Sequence, residues 1–103
     1  MSEATYQVLV TPGADRELDA LSQEFDTDGL ETRIRDAAAC RQPKNHSCVD
    51  TVVGRPGLLK VRGVGLRAIC ELDPPEFRVL LVDKRKRVYD RLDTAEERAG
   101  GAA

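Results

Sequence analysis

The stretch LLKVRGVGLRAICELD, residues 58–73, decides the architecture. LLKVR (58–62) alternates apolar and basic residues, the mark of a strand with one buried and one wetted face. Gly63-Val64-Gly65 follows, and two glycines around one residue make a tight hairpin. LRAICEL (66–72) then runs back as the second strand. Alternation gives Leu59 and Val61 to one face and Lys60 and Arg62 to the other, with Arg67 opening the returning strand.

Downstream, Asp73-Pro74-Pro75-Glu76 is a turn. FRVLLV (77–82) is the most apolar run and predicts a central strand. Its continuation, VLLVDKRKRVYD (79–90), ends in four consecutive cations, Lys84, Arg85, Lys86 and Arg87, followed by Val88 and Tyr89. Read as strand throughout, it places Arg85, Arg87 and Tyr89 on one face and Lys86 and Val88 on the other. One face of the sheet then gathers Lys60, Arg62, Arg67, Arg85, Arg87 and Tyr89.

Upstream, YQVLV (6–10) is β-rich and alternating, a strand. Thr11 is a good helix cap, Pro12 suits the first helical position, and Asp15 and Glu17 favour the helix N-terminus. With Leu18, Leu21 and Phe25 on one face, a helix is expected from about residue 12 to 25. DTDG (26–29) breaks the chain. A second helix is expected from about 28 to 40, with Leu30, Ile34, Ala37 and Ala38 as its apolar stripe and Pro43 closing it. Residues 41–48 read as a polar loop, VDTVV (49–53) as a short extended piece and GRPG (54–57) as a turn. The expected fold class is α+β, order β-α-α-β-β-β, with two N-terminal helices on one face of a small, mostly antiparallel sheet. Residues 1–92 form the single domain and 93–103 a flexible C-terminal tail that starts at most a short helix and frays.

A chain of 103 residues has room for one modest core. Tryptophan is absent and there are only two Tyr and two Phe, so that core must be aliphatic. No run approaches the roughly 20 apolar residues of a membrane span, and MSEATYQ has no signal-peptide character, so the expectation is a cytoplasmic protein with no membrane partner. The three cysteines fit reduced thiols. Cys40, His46 and Cys48 lie close together, but their spacing matches no common structural zinc pattern, and neither a metal site nor a small-molecule cofactor is expected. The net charge of −2 hides an asymmetry, for residues 1–32 carry a net −7 and residues 33–91 a net +7. A local positive face can therefore exist on an acidic protein. Phosphodiesters are the obvious anions for it, because arginine forks match phosphate oxygens and a tyrosine can stack on a base. The plain alternative is a water-facing sheet decorated with cations that protect its edges.

Three of these segments resemble the RelE/ParE toxin superfamily, and RelE-type mRNA interferases in particular. YQVLVTPGADRELDAL looks like the family's opening strand and helix. LLKVRGVGLRAICELD resembles its hairpin. VLLVDKRKRVYD resembles its closing strand, with an arginine four residues before a tyrosine. The likeness spans roughly residues 5–91 in the correct order.

The resemblance implies a toxin of a toxin–antitoxin system, an endoribonuclease that cuts mRNA in the ribosomal A site and is neutralised by a cognate antitoxin. It implies no metal. The 2′-hydroxyl attacks the adjacent phosphate and leaves a 2′,3′-cyclic phosphate and a 5′-hydroxyl. Such chemistry needs a proton acceptor for the 2′-OH, charge stabilisation at the phosphate and a proton for the leaving oxygen. The single histidine, His46, lies in a polar loop, so the work falls to Lys, Arg and Tyr.

Carried over from the family, Lys60 matches a lysine of the active strand and Arg62 stands where RelE has a second lysine. Arg67 matches a phosphate clamp, Arg85 an arginine near the leaving oxygen, and Tyr89 a tyrosine that orients the 2′-OH or stacks on a base. Lys84, Lys86 and Arg87 would contact RNA backbone. Arg62 cannot act as a base, since guanidinium effectively never deprotonates. Two other functions share the fold: a ParE-like gyrase inhibitor, and a non-catalytic RNA- or ribosome-binding protein.

Overall fold

The computed structural model describes residues 5–100. The strands are β1 (Gln7–Val10), β2 (Val49–Val52), β3 (Arg55–Arg62), β4 (Leu66–Asp73) and β5 (Glu76–Lys84). The helices are α1 (Pro12–Leu21), α2 (Thr27–Ala38) and α3 (Leu92–Gly100), with short 3-10 turns at Pro43–Asn45 and Val88–Arg91. The strands form one sheet in the order β1-β5-β4-β3-β2, with β1 parallel to β5 and every other pair antiparallel.

Local sequence explains the first helices. The Thr11 hydroxyl accepts from Ala14 N–H at 3.3 Å and donates to Val79 O at 3.0 Å, so one side chain caps α1 and ties it to β5. α1 stops at Leu21, four residues short of the expected end, where Ser22 Oγ bonds Asp19 O at 2.7 Å and competes for the last carbonyls. Asp26 caps α2 by accepting Gly29 N–H at 2.9 Å. Leu30, Ile34, Ala37 and Ala38 are all buried, as the stripe predicted. With Ala14 and Leu18 they pack on Leu59, Val61, Ala68, Cys70, Phe77 and Val79. Each fully buried Val, Leu, Ile or Phe side chain among them contributes about 1.5–3 kcal/mol.

The opposite face carries the first departure from expectation. Val52, Leu58, Ile69, Leu80 and Leu81 form a second apolar cluster there, covered by Val88, Leu92, Ala95 and Ala99. Residues 93–100, expected in a flexible tail, instead belong to α3, whose Ala95 is wholly buried. Arg55 at the start of β3 fastens that helix through Asp93 at 2.9 Å and Glu96 at 2.5 Å. The last three residues of the tail lie outside the described residues. α3 thus occupies one end of the face and leaves the hairpin end open.

The second departure is in β5. Ile69 pairs with Leu81 but Cys70 pairs with Val79, so Leu80 is an extra residue in the ladder. Leu80 and Leu81 both join the α3-side cluster, whereas Val79 and Val82 join the α1/α2 side. This bulge breaks simple alternation along β5. The strand ends at Lys84, so Arg85, Arg87 and Tyr89 are not strand residues as the sequence reading had them.

Candidate functional site

The β3–β4 hairpin builds the site. Lys60 lies opposite Ile69 and Arg62 opposite Arg67, which puts the three cations on the α3 side of the sheet, just beyond the helix. The turn is tightly packed from behind. Gly65 has φ +75°, and a Cβ there would meet the Phe25 ring at 2.9 Å. Gly63 sits against Leu30. Helix-side residues therefore set where the cations of the hairpin stand.

Tyr89 reaches the same place from the 3-10 turn Val88–Arg91. Lys60 Nζ donates to Tyr89 Oη at 2.6 Å, a short charge-assisted bond. The ammonium is 4.8 Å from the ring centroid, so it sits by the hydroxyl rather than over the ring face. The tyrosine is 50% exposed, which leaves its ring face available for stacking.

Arg67 is half-buried, and one of its terminal nitrogens donates to Gly63 O at 2.9 Å and to Leu66 O at 2.7 Å. This pins the hairpin while the rest of the guanidinium stays available. Burial pushes the Arg67 guanidinium down from its ordinary value. Tyr89 and Asp50 pull it up, against the nearby Arg85 and Arg62, which push it further down. Arg67, Arg85, Arg62 and Tyr89 are thus within electrostatic reach of one another.

Arg85 is exposed, and its backbone N–H bonds Gly65 O at 2.9 Å, which holds the start of the basic segment beside the hairpin. Lys84, Lys86 and Arg87 are exposed, and no ion pair joins them to another described residue. Arg62 differs from its neighbours. Its Nε is 2.9 Å from Asp50 Oδ2, and its NH2 bonds Ser47 O. The Nε contact has ion-pair distance without hydrogen-bond alignment. Arg62 shares the face with Lys60 and Arg67 but is already neutralised by β2.

Several participants had no signal in the sequence. Asp50, opposite Lys60 in β2, is one. Others are Glu17, Asp83, Arg91 and Arg98. Arg91 bridges Asp83 at 3.0 Å and Glu17 at 2.7 Å, and Arg98 bonds Glu17 at 3.1 Å and Leu80 O at 2.9 Å. Glu17 also accepts Val82 N–H at 3.0 Å. β1 ends beside Val79, so these side chains satisfy the β5 edge that β1 does not reach. Burial lowers the Arg91 guanidinium, but its bonds to Asp83 and Glu17 win, and the net displacement is upward.

Cys70 is wholly buried, and burial pushes its thiol far up. Among the described residues, no three His, Cys, Asp or Glu side chains group to hold a metal ion, and no helix is long and apolar enough to cross a membrane. His46 is occupied locally, its Nδ1 accepting Cys48 N–H at 3.1 Å.

No protein-family model and no curated protein matches the chain. Its fold is similar to a chain in the crystal structure of the toxin–antitoxin complex RelBE2 from Mycobacterium tuberculosis. The TM-score is 0.54 at 19% identity, covering 79% of this chain and 99% of that one. At this identity the likeness is one of fold. The architecture is α+β and RelE-like, as the three motifs implied.

Proposed function

We propose that the protein is the toxin of a toxin–antitoxin pair and acts as a RelE-type endoribonuclease on mRNA, with the ribosomal A site as its place of action. The observation that carries this reading is the 2.6 Å Lys60–Tyr89 bond beside Arg67 and Arg85 on an open face. A solvent-facing platform suits a polymer held by its backbone, and cations around an aromatic ring suit a phosphodiester and its base.

The chemistry divides among these residues. The 2′-oxygen forms a bond to phosphorus as the bond to the 5′-oxygen breaks. The Lys60–Tyr89 pair orients the 2′-OH, whose proton passes to water on this open face, and Tyr89 also offers its ring to the adjacent base. The available edge of Arg67, together with Arg85, stabilises charge that grows on the phosphate oxygens. The leaving 5′-oxygen, steadied by Arg85, takes a proton from water. No step calls for a metal. Lys84, Lys86 and Arg87 attract and orient RNA backbone. Arg62 has a smaller part than the family position suggests, because Asp50 and Ser47 already use it.

The spent charge of Arg62 favours a second reading, a non-catalytic protein of the same fold that binds RNA or ribosomes. Induced expression with primer extension on cellular transcripts separates the two. Cuts confined to translated messages support the toxin reading, and growth inhibition with intact messages supports the second. A neighbouring gene that relieves the inhibition would identify the antitoxin partner.

A further inference from the structure

Beyond Lys84 the chain leaves the sheet with three more consecutive cations and returns at Val88. Such a segment repels itself and, left alone, would sample many conformations. Its backbone ties are few: Arg85 N–H to Gly65 O at 2.9 Å, Arg87 N–H to Lys84 O at 2.9 Å and Asp90 N–H to Arg87 O at 3.0 Å. Yet it carries Arg85 and Tyr89, which must stand within a fraction of an ångström of the right place for catalysis.

A clasp at its base meets that need. Asp83 Oδ1 accepts Lys84 N–H at 2.7 Å, where the segment departs, and Oδ2 accepts from Arg91 at 3.0 Å, where it returns. The other terminal nitrogen of Arg91 bonds Glu17 Oε2 at 2.7 Å, which anchors the closure to α1. The carboxylates are withdrawn from water, Asp83 at 13% and Glu17 at 16% side-chain exposure, so solvent screens these pairs little. In a 3-10 turn, residues three apart share a side. Val88 and Arg91 therefore point together, one into the α3 cluster and one onto the carboxylates, and Tyr89 between them is turned toward Lys60.

We propose that Asp83, Arg91 and Glu17 are positioning residues, a charged clasp that closes the basic loop 84–90 and holds Tyr89 against Lys60. Its effect on cleavage rests on the ribonuclease reading; its effect on the Lys60–Tyr89 contact does not. Asp83 answers the loop's positive charge from inside the fold, where it does not compete for RNA at the surface.

The test uses the full chain with Arg91→Met and Asp83→Asn, and Lys86→Met as a control on the same loop. The first readout is the nuclear Overhauser contact between the Tyr89 ring and the Lys60 side chain in the absence of RNA. It is expected to vanish or weaken severalfold in both clasp variants and to persist in the control. The second readout is cleavage on programmed ribosomes. Arg91→Met should lower kcat by about 10²-fold, the scale of an ångström's misplacement, with KM changed less than about threefold. In a Tyr89→Ala background the same substitution should add much less than its single effect, because it acts through the tyrosine.

A Tyr89–Lys60 contact that survives in both clasp variants overturns the proposal, as does a full additional loss in the Tyr89→Ala background. Loss of the folded state in both variants would also overturn it, by reducing the clasp to general structural support. If no form of the protein cleaves RNA while the contact still depends on Arg91, the nuclease reading falls and the clasp stands.

Discussion

Replacing Arg85 with alanine removes a guanidinium that no described residue pairs with. Its side chain is exposed, and only its backbone N–H is tied, to Gly65 O. An exposed, unpartnered side chain contributes within about 0.5 kcal/mol to stability. Here even the sign is informative. Arg85 pushes the Arg67 guanidinium down, so the two cations repel, and removing one relieves strain rather than creating it. The melting temperature of Arg85→Ala should therefore hold or rise slightly, within about 4 °C. Cleavage should behave oppositely. Loss of one preorganised charge stabiliser costs about 10²–10³-fold in rate, or roughly 2.7–4 kcal/mol of transition-state free energy. Lys86→Ala removes the same formal charge from the adjacent residue, and should cost only a few-fold through weaker long-range attraction. The assay is single-turnover cleavage on programmed ribosomes for both variants, with thermal melts as the folding control. Equal, modest losses at Arg85 and Lys86 would refute the reasoning and leave the segment a charged surface. So would a rate loss at Arg85 accompanied by a large fall in melting temperature.

The remaining predictions concern charge, turn geometry and thiols. Binding to RNA or ribosomes should weaken steeply as salt rises, because phosphate contacts release counterions; a flat titration curve would point to a protein target. Gly65→Ala should destabilise the fold by about 1–2 kcal/mol or more, since the left-handed backbone alone costs about that much and Phe25 must also move; an unchanged denaturant midpoint would contradict it. In the native protein Cys40 and Cys48, both partly exposed, should alkylate well before Cys70, whose buried thiol stays protonated; mass spectrometry after brief alkylation at pH 8 reads the order.

How far the sequence carried depended on whether the cue was local. Thr11-Pro12, the Leu30–Ile34–Ala37 stripe and the Gly63–Gly65 turn each act over a few residues, and each stands where the sequence put it. The hairpin cations Lys60, Arg62 and Arg67 share a face for the same reason, because alternation holds along β3 and the start of β4. Alternation failed in β5, where nothing in VLLVDK marks Leu80 as an extra residue. Tyr89 came to Lys60 all the same, by a 3-10 turn that the strand reading did not contain. α3 is expected only as a short fraying helix because LDTAEERAG is polar, with few apolar residues to show a buried face. Its stability comes from burying Ala95 on a sheet face and from Arg55 and Arg98, contacts distant in sequence. The neutralisation of Arg62 by Asp50 likewise depends on which strand lies beside β3.

The central claim is that Lys60, Arg67, Arg85 and Tyr89 form one site that cuts RNA by transesterification. It is tested most directly by the ends of the products. Purified protein is incubated with ribosomes programmed with a defined message, beside Lys60→Met and Tyr89→Ala. The account predicts a cut within the A-site codon that leaves a 2′,3′-cyclic phosphate and a 5′-hydroxyl, and loss of that cut in both variants. Products ending in a 5′-phosphate and a 3′-hydroxyl, or cleavage that persists in both variants, would contradict it.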